Sequence, residues 1–311
     1  MNDDALHAGR NLDERVARTA AFTRLVERAV PSSIRGERFT LEPTRFGHGF
    51  VYVLTRDDGT RHIARFEADR HRLIARLAVA EALRAQRVAT PRTLYSRTAF
   101  FDRLRFGHAL AIDAFCAGVG VTQLADPIEA APRIASLFVA LHDANPRALP
   151  TSSDSVDGAA LLARLSKRLR AESEAGDPRV ANSLRTLRER DAAGRLFSAQ
   201  TPRVCLWDVG PKNVLVDGDG ATAIDVEDVR LDSAAYELAR VRHHLFDEKP
   251  AAFEAFLDAY RALASTPLRA EIDTTLGACE MVFLARHARI SKWPGQSKRF
   301  ARRLEELLAL S

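Results

Sequence analysis

One short stretch constrains the fold of this chain more than any other. Val204-Cys205-Leu206 and Val214-Leu215-Val216 are apolar, β-prone runs, and the second meets Ala221-Thr222-Ala223-Ile224 across Asp217-Gly218-Asp219-Gly220. A Gly- and Asp-rich turn between two such runs reads as a hairpin. If Val216 pairs with Ala221, Asn213 lies opposite Ile224 and next to Asp225. The hairpin then gathers an amide and a carboxylate at its open end. Those oxygens suit a hard divalent cation such as Mg²⁺, shared with substrate phosphates. Asp208 stands five residues before Asn213, the D-x-x-x-x-N spacing of a phosphoryl-transfer loop. A carboxylate there can accept the proton of an attacking hydroxyl.

The segment from Asn213 to Ala239 includes Ile224-Asp225-Val226-Glu227-Asp228 and Ala235-Tyr236-Glu237-Leu238-Ala239. It resembles the aminoglycoside phosphotransferase and choline kinase-like superfamily. That family typically carries H-G-D-x-x-x-x-N-V-L-V, then I-D-F/W-E/D, then D-P-A-Y-D-L-A. This chain departs in two places: Leu206-Trp207 replaces His-Gly, and Asp232-Ser233-Ala234 precedes Tyr236. The family His supports the loop, so its replacement bears on loop geometry. It removes neither the base nor a metal ligand.

The resemblance implies an α+β, two-lobed, protein-kinase-like fold. The order of elements agrees with it. A helix is expected over 11–30, with Leu12, Val16, Phe22, Leu25, Val26 and Val30 at helical spacing and Pro31 as its stop. Strands follow at Phe39–Leu41, Phe50–Leu54 and His62–Phe66, the last two joined at Asp57-Asp58-Gly59. A helix over 68–87 and strands near Thr93–Tyr95 and Leu110–Ile112 complete an N-lobe spanning 1–113. Residues 114–118 form the expected hinge, and 119–311 a helical C-lobe. Its helices are expected at 128–142, 157–173, 179–198, 233–246, 251–264, 269–287 and 297–309.

On the nucleotide side, Gly47 and Gly49 lie between two strands, where glycine lets the backbone approach phosphates. A plain hairpin turn also explains them. By resemblance, Arg65 is the cation that holds the phosphates of ATP or GTP. Its usual partner is a Glu on the next helix. The family spacing lands on Arg76, and Glu81 is the nearest acid. Either Glu81 serves or the pair is missing. Leu141-His142 resembles a pair that ends a C-lobe helix in the superfamily, which makes His142 a helix-end or packing residue.

On the acceptor side, Glu227 and Asp228 follow Asp225. They are either substrate residues for a cationic acceptor or solvated loop acids. From Arg286 to Arg303 the chain carries seven cations and no acid. This reads first as a solvated helix face, with an anionic acceptor as the alternative.

The remaining features narrow the class. The 311 residues are 46% hydrophobic and 28% charged, ordinary for a globular protein large enough for two lobes. A net charge of +5, spread along helices, gives no nucleic-acid footprint. Cys116, Cys205 and Cys279 lack both disulfide and zinc spacing. No signal peptide is read at the start, and no apolar run nears the about 18 residues of a membrane span. A cytoplasmic enzyme is expected, with a nucleoside triphosphate and a small-molecule hydroxyl acceptor as partners. Its function is then ATP-dependent O-phosphorylation, most simply inactivating an antibiotic-like acceptor. A pseudokinase and a metabolic kinase of a sugar or amino alcohol are the alternatives. A protein kinase fits less well, because no extended activation segment or Ala-Pro-Glu element follows Asp225.

Overall fold

The computed structural model describes residues 3–44, 50–98, 108–150, 158–174, 181, 184–185, 187–189, 197, 200–247, 249–290 and 294–309. The chain divides into two compact units: residues 1–85 with 89–117, and residues 86–88 with 118–311. The first is built on a sheet and the second is mostly helical, which is the expected α+β class.

In the first unit, helix α1 (Asp3–Ala29) precedes strands β1 (Phe39–Pro43), β2 (Phe50–Arg56) and β3 (Arg61–Glu67). Helix α2 (Arg70–Ala85) and strands β4 (Thr93–Arg97) and β5 (Ala109–Ala114) follow. The sheet is antiparallel throughout, in the order β1-β2-β3-β5-β4. Phe22, Leu25 and Val26 recur at helical spacing on α1 and are buried with Tyr52 and Phe66 of the sheet. Phe22 stacks on Phe66 at 4.0 Å between ring centroids. Val16, expected on the same stripe, faces solvent.

In the second unit, strand β6 (Val119–Gly120) leads to helix α3 (Pro127–His142) and helix α4 (Gly158–Glu174). The Asp126 carboxylate caps α3 by accepting from Ile128 N and Glu129 N. Of the helix expected over 179–198, only residues 181, 184–185 and 187–189 are described as helical. Strands β7 (Arg203–Leu206), β8 (Val214–Val216), β9 (Ala221–Ala223) and β10 (Val229–Asp232) surround the hairpin. β8 pairs antiparallel with β9 and with β6, while β7 pairs with β10. A Cβ on Gly118 would meet the Val216 carbonyl oxygen at 2.8 Å, so only glycine permits that approach.

Helix α5 (Ala234–Arg240) starts at Ser233, whose hydroxyl accepts from Tyr236 N at 3.1 Å. It does not run on as an α-helix to 246, as the apolar spacing led one to expect. It widens into a π-helix over Val241–Leu245. Such widened turns re-aim side chains and cluster at functional sites. Helices α6 (Pro250–Leu263), α7 (Thr266–Ile290) and α8 (Pro294–Ala309) complete the unit.

One buried acid here predicts a pH effect. Glu271 on α7 is almost fully enclosed, with Arg203 3.9 Å away. Burial pushes its carboxyl up to about 7, although Arg203 opposes the shift. A carboxyl whose folded pKa exceeds its unfolded one gives a contribution that falls as pH rises from the unfolded value, about 4.3, toward 7. Glu271→Gln should therefore raise the Tm at pH 8, and the gain should shrink toward pH 5. A thermal melt of both proteins at the two pH values tests this.

Candidate active site

The hairpin closes in the register read from the sequence. Val216 pairs with Ala221, Leu215 with Thr222 and Val214 with Ala223. The Asp217 carboxylate anchors the turn by accepting from Asp219 N (2.9 Å) and Gly220 N (2.8 Å). One step past the ladder, Ile224 N donates to Asn213 O at 3.0 Å. Asn213 therefore faces Ile224, with Asp225 next along the chain.

The Asn213 side chain is buried, and its Nδ2 donates to Asp208 O (3.0 Å) and Asp208 Oδ2 (2.8 Å). Those bonds orient the amide. Nδ2 is committed to the Asp208 loop, and Oδ1 is the atom left to serve as a ligand. Asp208 itself is solvent-facing, with Lys212 Nζ 3.8 Å from Oδ2. Asp225 is half-buried. Glu227 is half-buried and Asp228 exposed, both in the turn before β10. That turn touches the loop, because Trp207 N donates to Asp228 O at 3.3 Å.

The loop keeps its support without the family histidine. Glu237 is fully buried, and its Oε1 accepts from Leu206 N at 2.6 Å. Its other oxygen is 2.5 Å from His142 Nε2, and His142 Nδ1 is 2.6 Å from the Tyr260 hydroxyl. His142 thus ends α3 in a structural role. Arg240 donates to Leu206 O at 2.7 Å and also to Trp207 O. Trp207 is held by cations as well: the Arg230 guanidinium lies 3.1 Å from its ring centroid and that of Arg240 5.0 Å. Burial lowers the Arg230 pKa to about 10. Together Glu237 and Arg240 grip both an amide and two carbonyls just before Asp208. Neither residue stood out in the sequence beyond the Tyr236-Glu237-Leu238 ending. Their signal is two charges on one short apolar helix, which burial forces to find polar partners.

Cys205 Sγ also lies close to His142 and Glu237, with the three potential ligand atoms within 4.8 Å of one another. Burial pushes the Cys205 thiol well up, so it stays protonated. The imidazole and carboxylate bond to each other, and this group is structural.

In the first unit, Glu81 requires a correction. It lies exposed on α2, and Arg65 pairs instead with Asp113 of β5, Nε to Oδ2 at 3.3 Å. The buried face of α2 is Leu73, Arg76, Val79, Ala80 and Leu83. Glu81 is exposed and falls off that stripe, which recurs at three- and four-residue steps through 73, 76, 80 and 83. Arg76 is on it and donates Nη2 to the same Asp113 oxygen at 2.7 Å. Thr93 Oγ1 donates to the other oxygen at 2.8 Å. The usual polarity is reversed: the helix brings the cation and the strand the acid. Asp113 was legible as the lone charge in the apolar run Ala109–Ala114. Gly47 and Gly49 lie outside the described residues.

A family model described as the phosphotransferase enzyme family matches residues 10–272. No curated protein matches the chain in sequence. Several solved structures share its fold. A macrolide 2'-phosphotransferase from Brachybacterium faecium is 16% identical, covering 93% of this chain and 98% of its own, with a TM-score of 0.59. A choline/ethanolamine kinase family protein from Mesorhizobium loti is 16% identical, covering 95% and 94%, with a TM-score of 0.58. The GDP complex of an aminoglycoside 2'-phosphotransferase-IIIa is 14% identical, covering 94% and 98%, also with a TM-score of 0.58.

Proposed function

From the premise that this chain belongs to the phosphotransferase enzyme family, we propose that it is an ATP- or GTP-dependent O-kinase of a small antibiotic-like molecule. The observation that carries this reading is Asn213, whose side-chain amide is bonded to Asp208 and whose backbone carbonyl accepts from Ile224 N, one residue before Asp225. That arrangement joins a base and an oxygen-ligand pair in one rigid hairpin.

The donor set fits Mg²⁺. An amide oxygen and a carboxylate are hard ligands, and both residues lie at the hairpin end. Asn213 and Asp225 would hold the ion, which when bound offsets the negative charge of the nucleotide phosphates. The chain's own groups do the rest. Asp208 accepts the proton of the acceptor hydroxyl as its oxygen attacks the γ-phosphorus, while the bond from that phosphorus to the bridging oxygen breaks and the nucleoside diphosphate leaves. Asn213 keeps that carboxylate aimed. Arg65, fixed by Asp113, supplies positive charge to the phosphates. Glu227 and Asp228, beside the loop, offer carboxylates to a cationic acceptor.

Solved relatives named for macrolide and aminoglycoside phosphorylation support an antibiotic acceptor and a resistance role. The choline/ethanolamine kinase family relative supports the metabolic alternative, an amino alcohol or sugar. An ADP-release screen over macrolides, aminoglycosides, choline, ethanolamine and sugars decides between them. If no acceptor stimulates release although Mg·ATP binds, the protein is a pseudokinase and the proposal fails.

Asn213→Ala and Asp225→Ala should each bring Mg²⁺-dependent turnover to background while leaving the far-ultraviolet circular dichroism unchanged. Retention of near wild-type rates at limiting Mg²⁺ in either variant would remove that residue from the metal site.

A further inference from the structure

Lys212 comes directly before Asn213, and its Nζ lies 3.8 Å from Oδ2 of Asp208. The turn that carries it is fixed from three sides. Asn213 N donates to Gly210 O at 2.9 Å, and Pro211 holds its own backbone angle inside that turn. The Asn213 side chain closes the loop onto Asp208 O and Oδ2. A Cβ on Gly120 would collide with the Pro211 carbonyl oxygen, so β6 lies close against the turn. The stem of Lys212 therefore starts from a set point between the base and the residue assigned to the metal.

A surface ion pair does not account for this cation. The Lys212 side chain is 51% exposed and that of Asp208 53%, and pairs so open to water contribute little to stability. At 3.8 Å the contact is too long for a hydrogen bond. Oδ2 already accepts from Asn213. Lys212 makes no hydrogen bond among the described residues, so its three N–H donors are uncommitted. The cations around it differ. Arg240 donates to Leu206 O and Trp207 O, Arg230 lies on the Trp207 ring, and Arg133 donates to Asp217 O and Gly218 O at the other end of the hairpin. The charge that Lys212 faces is also transient, because Asp208 is the group that takes the proton.

We propose that Lys212 is a catalytic residue whose ammonium turns from Asp208 to the γ-phosphoryl oxygens of the nucleotide, an inference that rests on the O-kinase reading above. Charge on the transferring phosphoryl group is spread over three equatorial oxygens. A lysine serves phosphate as a point charge with rotatable donors. In the step, the bond from the acceptor oxygen to the γ-phosphorus forms. The bond from that phosphorus to the bridging oxygen breaks, and its electron pair leaves with the nucleoside diphosphate. The hydroxyl proton goes to Asp208. Lys212 neither gives nor takes a proton. It stays charged beside the transferring group while the carboxylate that it faced becomes neutral. Its place between the base and the metal residue is the span that the phosphoryl group crosses, which makes that group, and not the body of the acceptor, its target.

The test uses the full chain in the presence of Mg²⁺. Calorimetry gives the Kd of ADP and of the non-hydrolysable β,γ-imido analogue of ATP. Lys212→Met should weaken the analogue about ten-fold, the scale of one charge-assisted hydrogen bond, and leave ADP unchanged. Lys212→Arg, which keeps the charge, should lose less. On an acceptor from the ADP-release screen, Lys212→Met should lower kcat about 10²–10³-fold, the scale of one lost transition-state donor, with acceptor KM and Tm unchanged. An equal effect on both nucleotides, or none on either, would overturn the inference, as would an undiminished kcat. A Lys212→Arg chain no better than Lys212→Met would show that the charge is not the cause, and would overturn it too. The binding measurement needs no acceptor. A failed screen with the difference between nucleotides intact would therefore sink the kinase reading and leave the γ-phosphate contact standing. A wild-type chain that binds neither nucleotide would overturn both.

Discussion

Asp208→Asn is expected to lower kcat by about 10²–10⁴-fold, the scale of a lost general base, with nucleotide Kd unchanged. The substitution is close to isosteric. Asn213 Nδ2 donates to Asp208 Oδ2 at 2.8 Å in the native chain, and an amide oxygen at position 208 can accept the same bond. The loop should hold its shape, because Glu237 and Arg240 grip the backbone of Leu206 and Trp207 rather than the Asp208 side chain. What disappears is the capacity to take a proton. Steady-state kinetics on a confirmed acceptor, with a nucleotide titration, separates the two effects. An undiminished kcat would show that Asp208 is not the base. A parallel loss of nucleotide affinity would show that it belongs to the nucleotide site.

The largest stability effect is expected at Asp113. It is almost fully buried and accepts from Arg76, Arg65 and Thr93 at 2.7, 3.3 and 2.8 Å. Arg76 is buried too, and its Nε and Nη1 have no hydrogen-bond partner among the described residues. Removing the carboxylate strands that guanidinium inside the first unit, beside a second cation. Breaking a buried pair in this way costs about 3–5 kcal/mol. Asp113→Ala should show that loss in urea denaturation. Asp113→Asn should lose less, since it can still accept from Thr93. Adding Arg76→Met to Asp113→Ala should recover part of the loss, because the stranded charge goes with it. A cost below about 1 kcal/mol for Asp113→Ala would mean that the cluster is solvated and unimportant.

The hairpin was legible because its evidence is local. A short Gly- and Asp-rich turn leaves few registers, and one register decides which residues meet at the open end. Strand β10 was not legible. It is four residues long, carries Arg230 and Asp232, and pairs with β7 more than twenty residues earlier. The π-helix was hidden for another reason. Apolar spacing continues through Val241 and Leu245, so periodicity alone reports one uninterrupted helix. Arg65 was singled out by family resemblance, and its partner was sought on α2, where family spacing places an acid. Counting residues does not say which way a helix faces. Burial does, and it turned Arg76 inward and Glu81 outward. The loop grip of Glu237 and Arg240 was missed because it acts on backbone atoms, which leave no residue signature in the strand they hold.

The reversed polarity around Arg65 also limits how this enzyme can be controlled. Where the phosphate-holding cation depends on an acid carried by a mobile helix, swinging the helix away disarms the site. Here the acid sits on β5, bonded directly alongside β3 in the same sheet, with Ile63 opposite Asp113 and Arg65 opposite Ala111. A shift of α2 would remove Arg76 but leave Arg65 and Asp113 together. The Arg65 guanidinium is thus positioned from within the sheet, and a displacement of α2 would not by itself release it from Asp113.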